Sequence, residues 1–392
     1  MSLINVDIVD PEGGANQSGL RDKNARVVLT LVRRHGAMSS AEIARRSGLS
    51  AQTVSNITRS LSADGLLVRR KAIKGKVGKP SVPVALNPRG VHALGLSIGR
   101  RSAELVLIDF LGTQIETVST TYPYPTIEDV FAFLRDGIGK IFARHPGVEA
   151  TVNGIGIARP NKLWDWLEVV HAPEEAMRKW KDVDIAQAVQ DETGFEAFIE
   201  NDATSACVAE HLLGRGESFS DFAYIFMGAF IGGGLVLNGK VFAGRTGNAA
   251  AFGPMPIPDQ NGGSTELLNV ASLHVLEDMM SQAGIDPTRL RQSPDDWSFA
   301  EPLLAQWITQ TSKPLAIAAA CIVSVVEVEA ILIDGAMPRE VCAQLTTQTA
   351  EALDTLDIRM IERPVIVQAQ VGKNARSLGA ALLPIHSRYF LA

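Results

Sequence analysis

The sequence predicts an α/β protein that begins with a small winged helix-turn-helix module. Two observations support this division. Three short helical segments and a pair of strands precede residue 89, and mixed strands and helices continue from there to the C-terminus. Residues 21–89 hold 15 Lys and Arg against 3 acidic residues, whereas the whole chain has a net charge of −6. A basic front on an acidic body indicates that only the front contacts a polyanion.

A length of 392 residues suggests two or three domains. We predict a flexible arm over residues 1–20, a winged helix-turn-helix over residues 21–88 and a larger body over residues 89–392. Apolar residues make up 46% and charged residues 20% of the chain, as in ordinary soluble proteins. We find no apolar run of membrane-spanning length and no secretory signal, so we expect a cytoplasmic protein without a membrane partner.

Caps mark three helices in the first module. The first carries apolar residues at helical spacing and stops at Gly36. Ser39 and Glu42 have the spacing of a capping box, which opens a second helix that ends near Gly48. Ser50 can cap a third helix. A tight glycine-containing turn between the second and third helices is typical of a helix-turn-helix.

The third helix has an apolar stripe formed by Val54, Ile57 and Leu61, and its opposite face is polar. We expect the polar face to enter the major groove, where Gln and Asn pair with adenine edges and Arg with guanine or phosphate. The residues of this helix that we predict to contact double-stranded operator DNA are Gln52, Thr53, Ser55, Asn56 and Arg59. A small helical bundle with a polar outer face is the alternative interpretation.

A strand pair with a basic, glycine-rich connection follows the third helix. We predict the strands at residues 66–68 and 82–86. The pattern is typical of a wing whose cations neutralise phosphates and whose Gly-Lys-Pro segment can enter a minor groove. The wing residues that we predict to contact DNA are Arg70, Lys74, Lys76 and Lys79. A flexible basic linker is the alternative for this loop.

The body alternates strands and helices. We predict strands at residues 93–98, 103–108, 153–158, 224–227, 235–237, 330–333 and 365–367. We predict helices at about 126–143, 313–328 and 339–353, and a last helix from about 375. Three glycines, Gly232–Gly234, are expected to separate two of the strands.

Several short segments make the chain resemble a known family over nearly its whole length. They are Ala41-Glu42-Ile43-Ala44, Gly78-Lys79-Pro80, Leu86-Asn87-Pro88, Gly154-Ile155-Gly156-Ile157, Glu200-Asn201-Asp202-Ala203, Gly232 to Lys240 and Ser377-Leu378-Gly379-Ala380-Ala381. Together they resemble the ROK family of repressors, open reading frames and sugar kinases, in the branch of xylose and N-acetylglucosamine repressors.

The resemblance implies an actin-like, ribonuclease H-like body of two subdomains with a sugar cleft between them. The smaller subdomain would comprise about residues 89–200 plus 374–392, and the larger about residues 201–373. The resemblance also implies a homodimer or a higher homo-oligomer.

The kinase residues of the family are altered here. Sugar kinases need a glycine-rich turn for the ATP phosphates and a carboxylate base for the sugar hydroxyl. Asp202 matches the base, but the Asp-Ile-Gly-Gly-Thr phosphate turn reads Ser97-Ile98-Gly99-Arg100-Arg101, and a second turn reads Gly228-Ala229-Phe230. Bulky cations replace residues that let the backbone approach phosphate. We therefore expect no enzyme activity and no catalytic residues.

The family's zinc site is also altered. Its histidine position matches Pro254, and residues 256–273 contain neither Cys nor His. The three cysteines lie far apart, and the lone histidines show no metal spacing. We expect no metal and no cofactor. A glutamate of the family's sugar site matches Ala251, which removes one carboxylate for sugar hydroxyls.

Four polar residues remain as candidates for contact with a sugar or sugar-derived ligand: Asn161, Asn201, Asp202 and Glu266. Alternatively, Asp202 caps the helix that follows it, and Asn161 and Glu266 have surface or loop roles. Three functions are open at this point. They are a repressor that responds to a sugar, a residual sugar kinase with a DNA-binding appendage, and a regulator controlled by a protein partner with a vestigial cleft.

Overall fold

A helical N-terminal module and a body built on two five-stranded sheets make up the computed structural model. It describes residues 17–72, 82–164, 172–259 and 262–391. The predicted fold class, a winged helix-turn-helix followed by an α/β body, is confirmed.

The module comprises α1 (Gln17–His35), α2 (Ser40–Ser47), α3 (Ala51–Ala63), β1 (Leu67–Arg69) and β2 (Val84–Leu86). The strands β1 and β2 pair antiparallel, as a wing requires. Helix α1 begins four residues inside the segment that we predicted to be an arm, so residues 17–20 are helical. The prediction relied on the spacing of apolar residues, which marks only the buried face of a helix. A first helical turn with few apolar residues, as at residues 17–20, does not show this spacing. The remainder of the predicted arm lies outside the described residues.

Both predicted caps form. The Ser39 side chain accepts a hydrogen bond from the Glu42 N–H at 3.2 Å, and the Ser50 side chain accepts one from the Thr53 N–H at 3.1 Å. Gly48 ends α2 with φ of 71°, a left-handed conformation that favours glycine. The buried core of the module includes Val28, Leu29, Val32, Ile43, Val54, Ile57 and Leu61.

The first sheet of the body has the strand order β5-β4-β3-β6-β7. Its strands are β3 (His92–Ile98), β4 (Ser102–Asp109), β5 (Gln114–Thr121), β6 (Val152–Arg159) and β7 (Ala197–Asn201). Strands β6 and β7 run parallel to β3, so their carboxyl ends meet at one edge. Three helices pack against this sheet and contribute residues to its core: α4 (Ile127–Arg144), α5 (Glu174–Asp182) and α6 (Ile185–Thr193).

Helix α7 (Asp202–Leu213) follows β7 directly and leads to the second sheet, of order β10-β9-β8-β13-β14. Its strands are β8 (Phe222–Met227), β9 (Ile231–Leu237), β10 (Lys240–Val241), β13 (Ala330–Gly335) and β14 (Val365–Gln368). Strands β11 (Pro256–Pro258) and β12 (Ser264–Glu266) form a separate ribbon. The remaining helices are α8 (Leu273–Gln282), α9 (Arg289–Gln292), α10 (Leu303–Val325), α11 (Arg339–Thr355) and α12 (Ala375–Tyr389).

The glycines Gly232–Gly234 lie within β9 and do not separate two strands, contrary to our expectation. They permit close packing: a Cβ atom on Gly234 would lie 2.3 Å from the Cβ atom of Cys207 on α7. Helix α10 starts ten residues before the predicted Lys313 and accommodates Pro314 in its interior. It is long and apolar enough to cross a membrane, but half of its most apolar stretch is buried in the protein, as in a core helix.

The module is docked on the body through α1. Arg26 Nε donates to the carbonyl oxygen of Phe390 at 2.8 Å, and Arg33 Nη2 donates to that of Leu212 at 3.2 Å. The Leu391 N–H donates to Thr30 Oγ1 at 3.0 Å. Phe390 is buried in the same apolar cluster as the core of the module. The C-terminal end of the chain therefore helps to hold the module in place.

This interface contains His386, whose ring lies 5.0 Å from that of Phe390 and whose Nε2 is buried without a hydrogen-bond partner among the described residues. Burial, followed by the nearby charges of Arg33, His211 and Arg26, holds the pKa of His386 well below its usual range. A histidine whose pKa is lower in the folded state stabilises the fold at high pH. That contribution is lost as the pH falls through and below about 6.5.

We therefore expect the free energy of unfolding to fall from pH 7 to pH 5, and to fall less steeply in His386→Asn. Urea denaturation at a series of pH values measures this slope. His35→Asn is the matched control, because this exposed histidine bonds to Arg46 within the module and lies outside the interface with α12. A His386→Asn protein with an unchanged pH slope would contradict the assignment.

Candidate DNA-binding surface and ligand cleft

Helix α3 presents the predicted polar face to solvent. Gln52, Asn56 and Arg59 are exposed, and Thr53 and Ser55 are half-buried. Gln52 Nε2 donates to Asn56 Oδ1 at 3.3 Å, which places both amides on one side of the helix. The opposite side of α3 packs into the module through the predicted apolar stripe. This geometry lets the polar face enter a major groove without loss of the core.

A shallow pocket of about 230 Å³ lies between α3 and the wing strands. Arg59 and Arg69 line it together with hydroxyl groups of Ser40, Ser55 and Ser62. Cations and hydroxyls at one concave surface are the groups that bind phosphate oxygens of a nucleic-acid backbone. Our list of contact residues omitted Arg69 and the two serines Ser40 and Ser62. The run of basic residues that starts at Arg69 is visible in the sequence and indicates Arg69. Only the fold brings Ser40 and Ser62 next to it.

The wing is described at its base only. Arg70 is exposed there, and its N–H donates to the Pro83 carbonyl at 2.8 Å, which extends the ladder of β1 and β2. Lys74, Lys76 and Lys79 lie outside the described residues, and their contacts with DNA stay a prediction.

The residues predicted to line the cleft start at the carboxyl end of β7, which runs parallel to β6 and β3. Asn201 ends β7 and caps α7, because its Oδ1 accepts hydrogen bonds from the N–H groups of Ala203 and Thr204 at 3.0 and 3.1 Å. Asp202 comes next, and the exposed fraction of its side chain is 18%. Asp202 also takes part in this cap, because its Oδ1 accepts a hydrogen bond from the Ala203 N–H at 3.0 Å. Asp202 retains carboxylate oxygen for other partners.

Arg376, at the start of α12, faces Asp202 with 3.9 Å between Arg376 Nη1 and Asp202 Oδ2. Its guanidinium lies 5.3 Å from the centroid of the Phe226 ring, and its Nε is buried without a hydrogen-bond partner in the described part of the chain. Glu104 lies close by and accepts a short hydrogen bond from Ser377 Oγ. Burial raises the pKa of Glu104, while the Ser377 bond and the charge of Arg376 oppose that shift. Sequence reasoning missed Arg376, since nothing in its surroundings along the chain indicates Asp202 as its partner.

Asn161 connects the two halves of the body. Asn161 lies in the loop that follows β6. Its Nδ2 donates to the Oδ1 of Asn248, which lies between β10 and β11, at 2.8 Å. Because β6 pairs Arg159 with Asn201, Asn161 lies at the same edge of the sheet as Asn201 and Asp202. Glu266 ends β12, opposite Pro256, and no hydrogen bond or ion pair recorded for the described residues connects it with the other three candidates. The structure therefore brings three of the four candidates to one edge.

The altered phosphate turn is a tight connection between β3 and β4. The Gly99 N–H donates to the Ser102 carbonyl at 2.9 Å, and the hydroxyl of the half-buried Tyr122 lies 2.8 Å from the carbonyl oxygens of both Gly99 and Ser102. Arg100 extends to the second sheet, where its guanidinium lies 4.5 Å from the centroid of the Phe230 ring. The turn thus holds a cation against an aromatic ring at the position where the family's kinases hold phosphate.

The second altered turn, Gly228-Ala229-Phe230, is occupied as well. The carbonyl oxygens of Gly228 and Ala229 accept hydrogen bonds from the N–H groups of Leu273 and His274, at 3.1 and 3.2 Å. These two hydrogen bonds anchor the turn to the start of α8.

The region that matches the family's zinc site holds Ala251 and Pro254, both exposed, next to the ribbon of β11 and β12. Among the described residues, no group of three or more His, Cys, Asp or Glu is placed to hold a metal ion. We expect the purified protein to carry less than about 0.1 zinc per chain after dialysis against chelator, because a structural zinc site needs four ligands. Elemental analysis that finds one zinc per chain would contradict this expectation.

Comparisons with known proteins agree with this geometry. A ROK family model matches residues 93–386, and a MarR family model matches residues 18–76. Protein y4fQ of Sinorhizobium fredii, an uncharacterized protein, is 24% identical over 94% of this chain and 92% of its own length.

The xylose repressor of Bacillus spizizenii is 24% identical, but the match spans only 63% of this chain and 64% of the repressor. A crystal structure described as a ROK family transcriptional regulator, a homolog of the E. coli MLC protein, superposes with a TM-score of 0.67. It is 23% identical, and the match covers 94% of this chain and 97% of that one. At this identity the likeness shows a shared fold, in which a winged module precedes the body.

Proposed function

Because the chain belongs to the ROK family, we propose that it is a DNA-binding transcriptional repressor whose affinity for its operator is controlled by a sugar or sugar derivative. One observation carries this proposal: a winged helix-turn-helix with an exposed polar recognition face is docked on a ROK body. The repressor among its relatives supports the same function. As a repressor acting on operator DNA, the chain would work in the cytoplasm.

The proposed ligand site is the edge that carries Asn161, Asn201 and Asp202. A carboxylate with accessible oxygen can accept hydrogen bonds from two hydroxyl groups, which suits a polyol. A hydrogen bond to a carboxylate is stronger than one to a neutral oxygen, so Asp202 suits the role of acceptor. Ala251 offers no carboxylate, so the site would depend on Asp202 more than a site with both acids.

We propose a homodimer as the DNA-binding species. Winged helix-turn-helix dimers contact two half-sites at a fixed spacing, and a rotation of one module against the other changes affinity. Closure of the cleft around a ligand provides such a rotation.

Kinase activity is not part of the proposal. Arg100 packs on Phe230 at the turn to which the family resemblance assigns the phosphates. A coupled ATPase assay with a panel of sugars tests this point, and sugar-dependent turnover above background would restore the kinase alternative.

The experiment that tests the proposed function has two arms. Selection from a random DNA library identifies the operator, and a thermal-shift screen with carbohydrates identifies the ligand, since a molecule that binds only the native state raises the midpoint. Specific operator binding that is released by a carbohydrate supports the proposal. Specific binding that no carbohydrate changes would favour control by a protein partner.

A further inference from the structure

Helices α7 and α12 lie side by side between the cleft and the DNA-binding module. At their N-terminal ends Asp202 faces Arg376, and one turn later a Cβ atom on Gly379 would lie 1.7 Å from the carbonyl oxygen of Ser205. The two backbones are in direct contact there, and the helices run in the same direction. Because Gly379 places no side chain between the two backbones at this contact, a shift of α7 there is transmitted directly to α12.

The C-terminal ends of both helices hold α1. Arg33 donates to Leu212 at the end of α7, and its guanidinium lies 5.2 Å from the centroid of the Phe390 ring just after α12. Arg26 donates to the Phe390 carbonyl. The 12 residues of α7 span about 18 Å at the helical rise. The same pair of rigid elements therefore contacts the cleft with one end and the DNA-binding module with the other.

Helix α1 in turn determines where the recognition helix lies. Its residues Val28, Leu29 and Val32 are buried in one cluster with Val54 and Ile57 of α3. A displacement of α1 relative to the body therefore displaces α3 as well.

We propose that Arg26 and Arg33 are positioning residues that fix the orientation of the winged helix-turn-helix, and that α7 and α12 couple them to the state of the Asp202–Arg376 contact. This inference rests on the proposed function and adds the route from the ligand to the DNA. A ligand hydroxyl that takes the Asp202 carboxylate from Arg376 displaces the N-terminal end of α7, and α12 follows through the contact of Gly379 with Ser205. This movement displaces the carbonyl oxygens of Leu212 and Phe390, which accept hydrogen bonds from Arg33 and Arg26 of α1.

The test is hydrogen–deuterium exchange of the full chain, followed in peptides that cover residues 24–35 of α1. Arg376→Gln breaks the contact at the cleft end and is expected to speed exchange in α1 about fivefold. In a chain that already carries Arg26→Gln and Arg33→Gln, the same change is expected to add less than about twofold, because coupled sites are not additive. Arg376→Lys, which keeps the charge, is expected to stay within about twofold of wild type.

Arg388→Gln is the matched control, since this arginine lies at the C-terminal end of α12, near Phe390, but bonds to Asn153 and pairs with Glu196. It is expected to leave exchange in α1 unchanged. Equal acceleration by Arg376→Gln in both backgrounds, or none in either, would overturn the proposal. If Arg376→Gln does not fold, as judged by near-ultraviolet circular dichroism, Asp202→Ala tests the same contact from α7. Exchange requires neither operator nor sugar, so the coupling can fail while operator binding succeeds, and the reverse.

Discussion

Replacement of Asn56 or Arg59 by alanine is expected to weaken specific operator binding by about 1–3 kcal/mol. Both side chains are exposed on the polar face of α3, and the core that orients this helix does not involve them. A base-edge contact that is lost also relaxes the sequence preference at that position. Fluorescence anisotropy with the selected operator, at one fixed salt concentration, measures the change.

The control for this prediction is Arg89→Ala, an exposed arginine that follows the wing and removes the same charge outside α3. It is expected to reduce the affinity for operator and for random DNA equally. Wild-type operator affinity in both α3 variants would show that α3 is not the recognition helix.

Wing cations are expected to act differently from residues of α3. Lys76→Ala or Lys79→Ala should weaken binding evenly across sequences and lower the dependence of the logarithm of affinity on the logarithm of salt concentration by about one unit. Salt titrations with operator and random DNA measure both effects. A loss confined to the operator would assign these lysines to base recognition.

Asp202→Asn is expected to weaken the response to the sugar at least about tenfold, or about 1.4 kcal/mol. A charged acceptor bond contributes about 1.5–3 kcal/mol, and the amide retains only one acceptor oxygen. That oxygen can still face Arg376, so the arrangement without ligand is kept. Operator affinity in the absence of sugar should therefore change less than about threefold.

Operator binding titrated with the sugar from the carbohydrate screen measures this response for both proteins. Asp191→Asn is the matched control, because this carboxylate is exposed on α6 and bonds only to Gln187 of the same helix among the recorded contacts. A variant of Asp202 that responds at the wild-type sugar concentration would remove Asp202 from the ligand site.

The sequence by itself determined the local elements of this protein. Caps such as Ser39, Ser50 and Thr126 act on backbone N–H groups three positions later, so their effect is visible in a short stretch of sequence. The recognition face of α3 follows from helical periodicity in the same way. The departure from the family's phosphate turn was visible too, because an arginine stands at position 100 where the resemblance places a glycine.

Only the tertiary structure decided how these elements meet. The partner of Asp202 is Arg376 because α12 returns from the C-terminal end of the chain to lie against α7, and no local signal specifies that approach. Long-range packing also explains why Gly234 lets α7 approach β9 closely. It likewise separates Glu266 from the other ligand candidates. Capping and periodicity act over a few residues, whereas these contacts are set by which buried surfaces fit together, which a linear pattern does not contain.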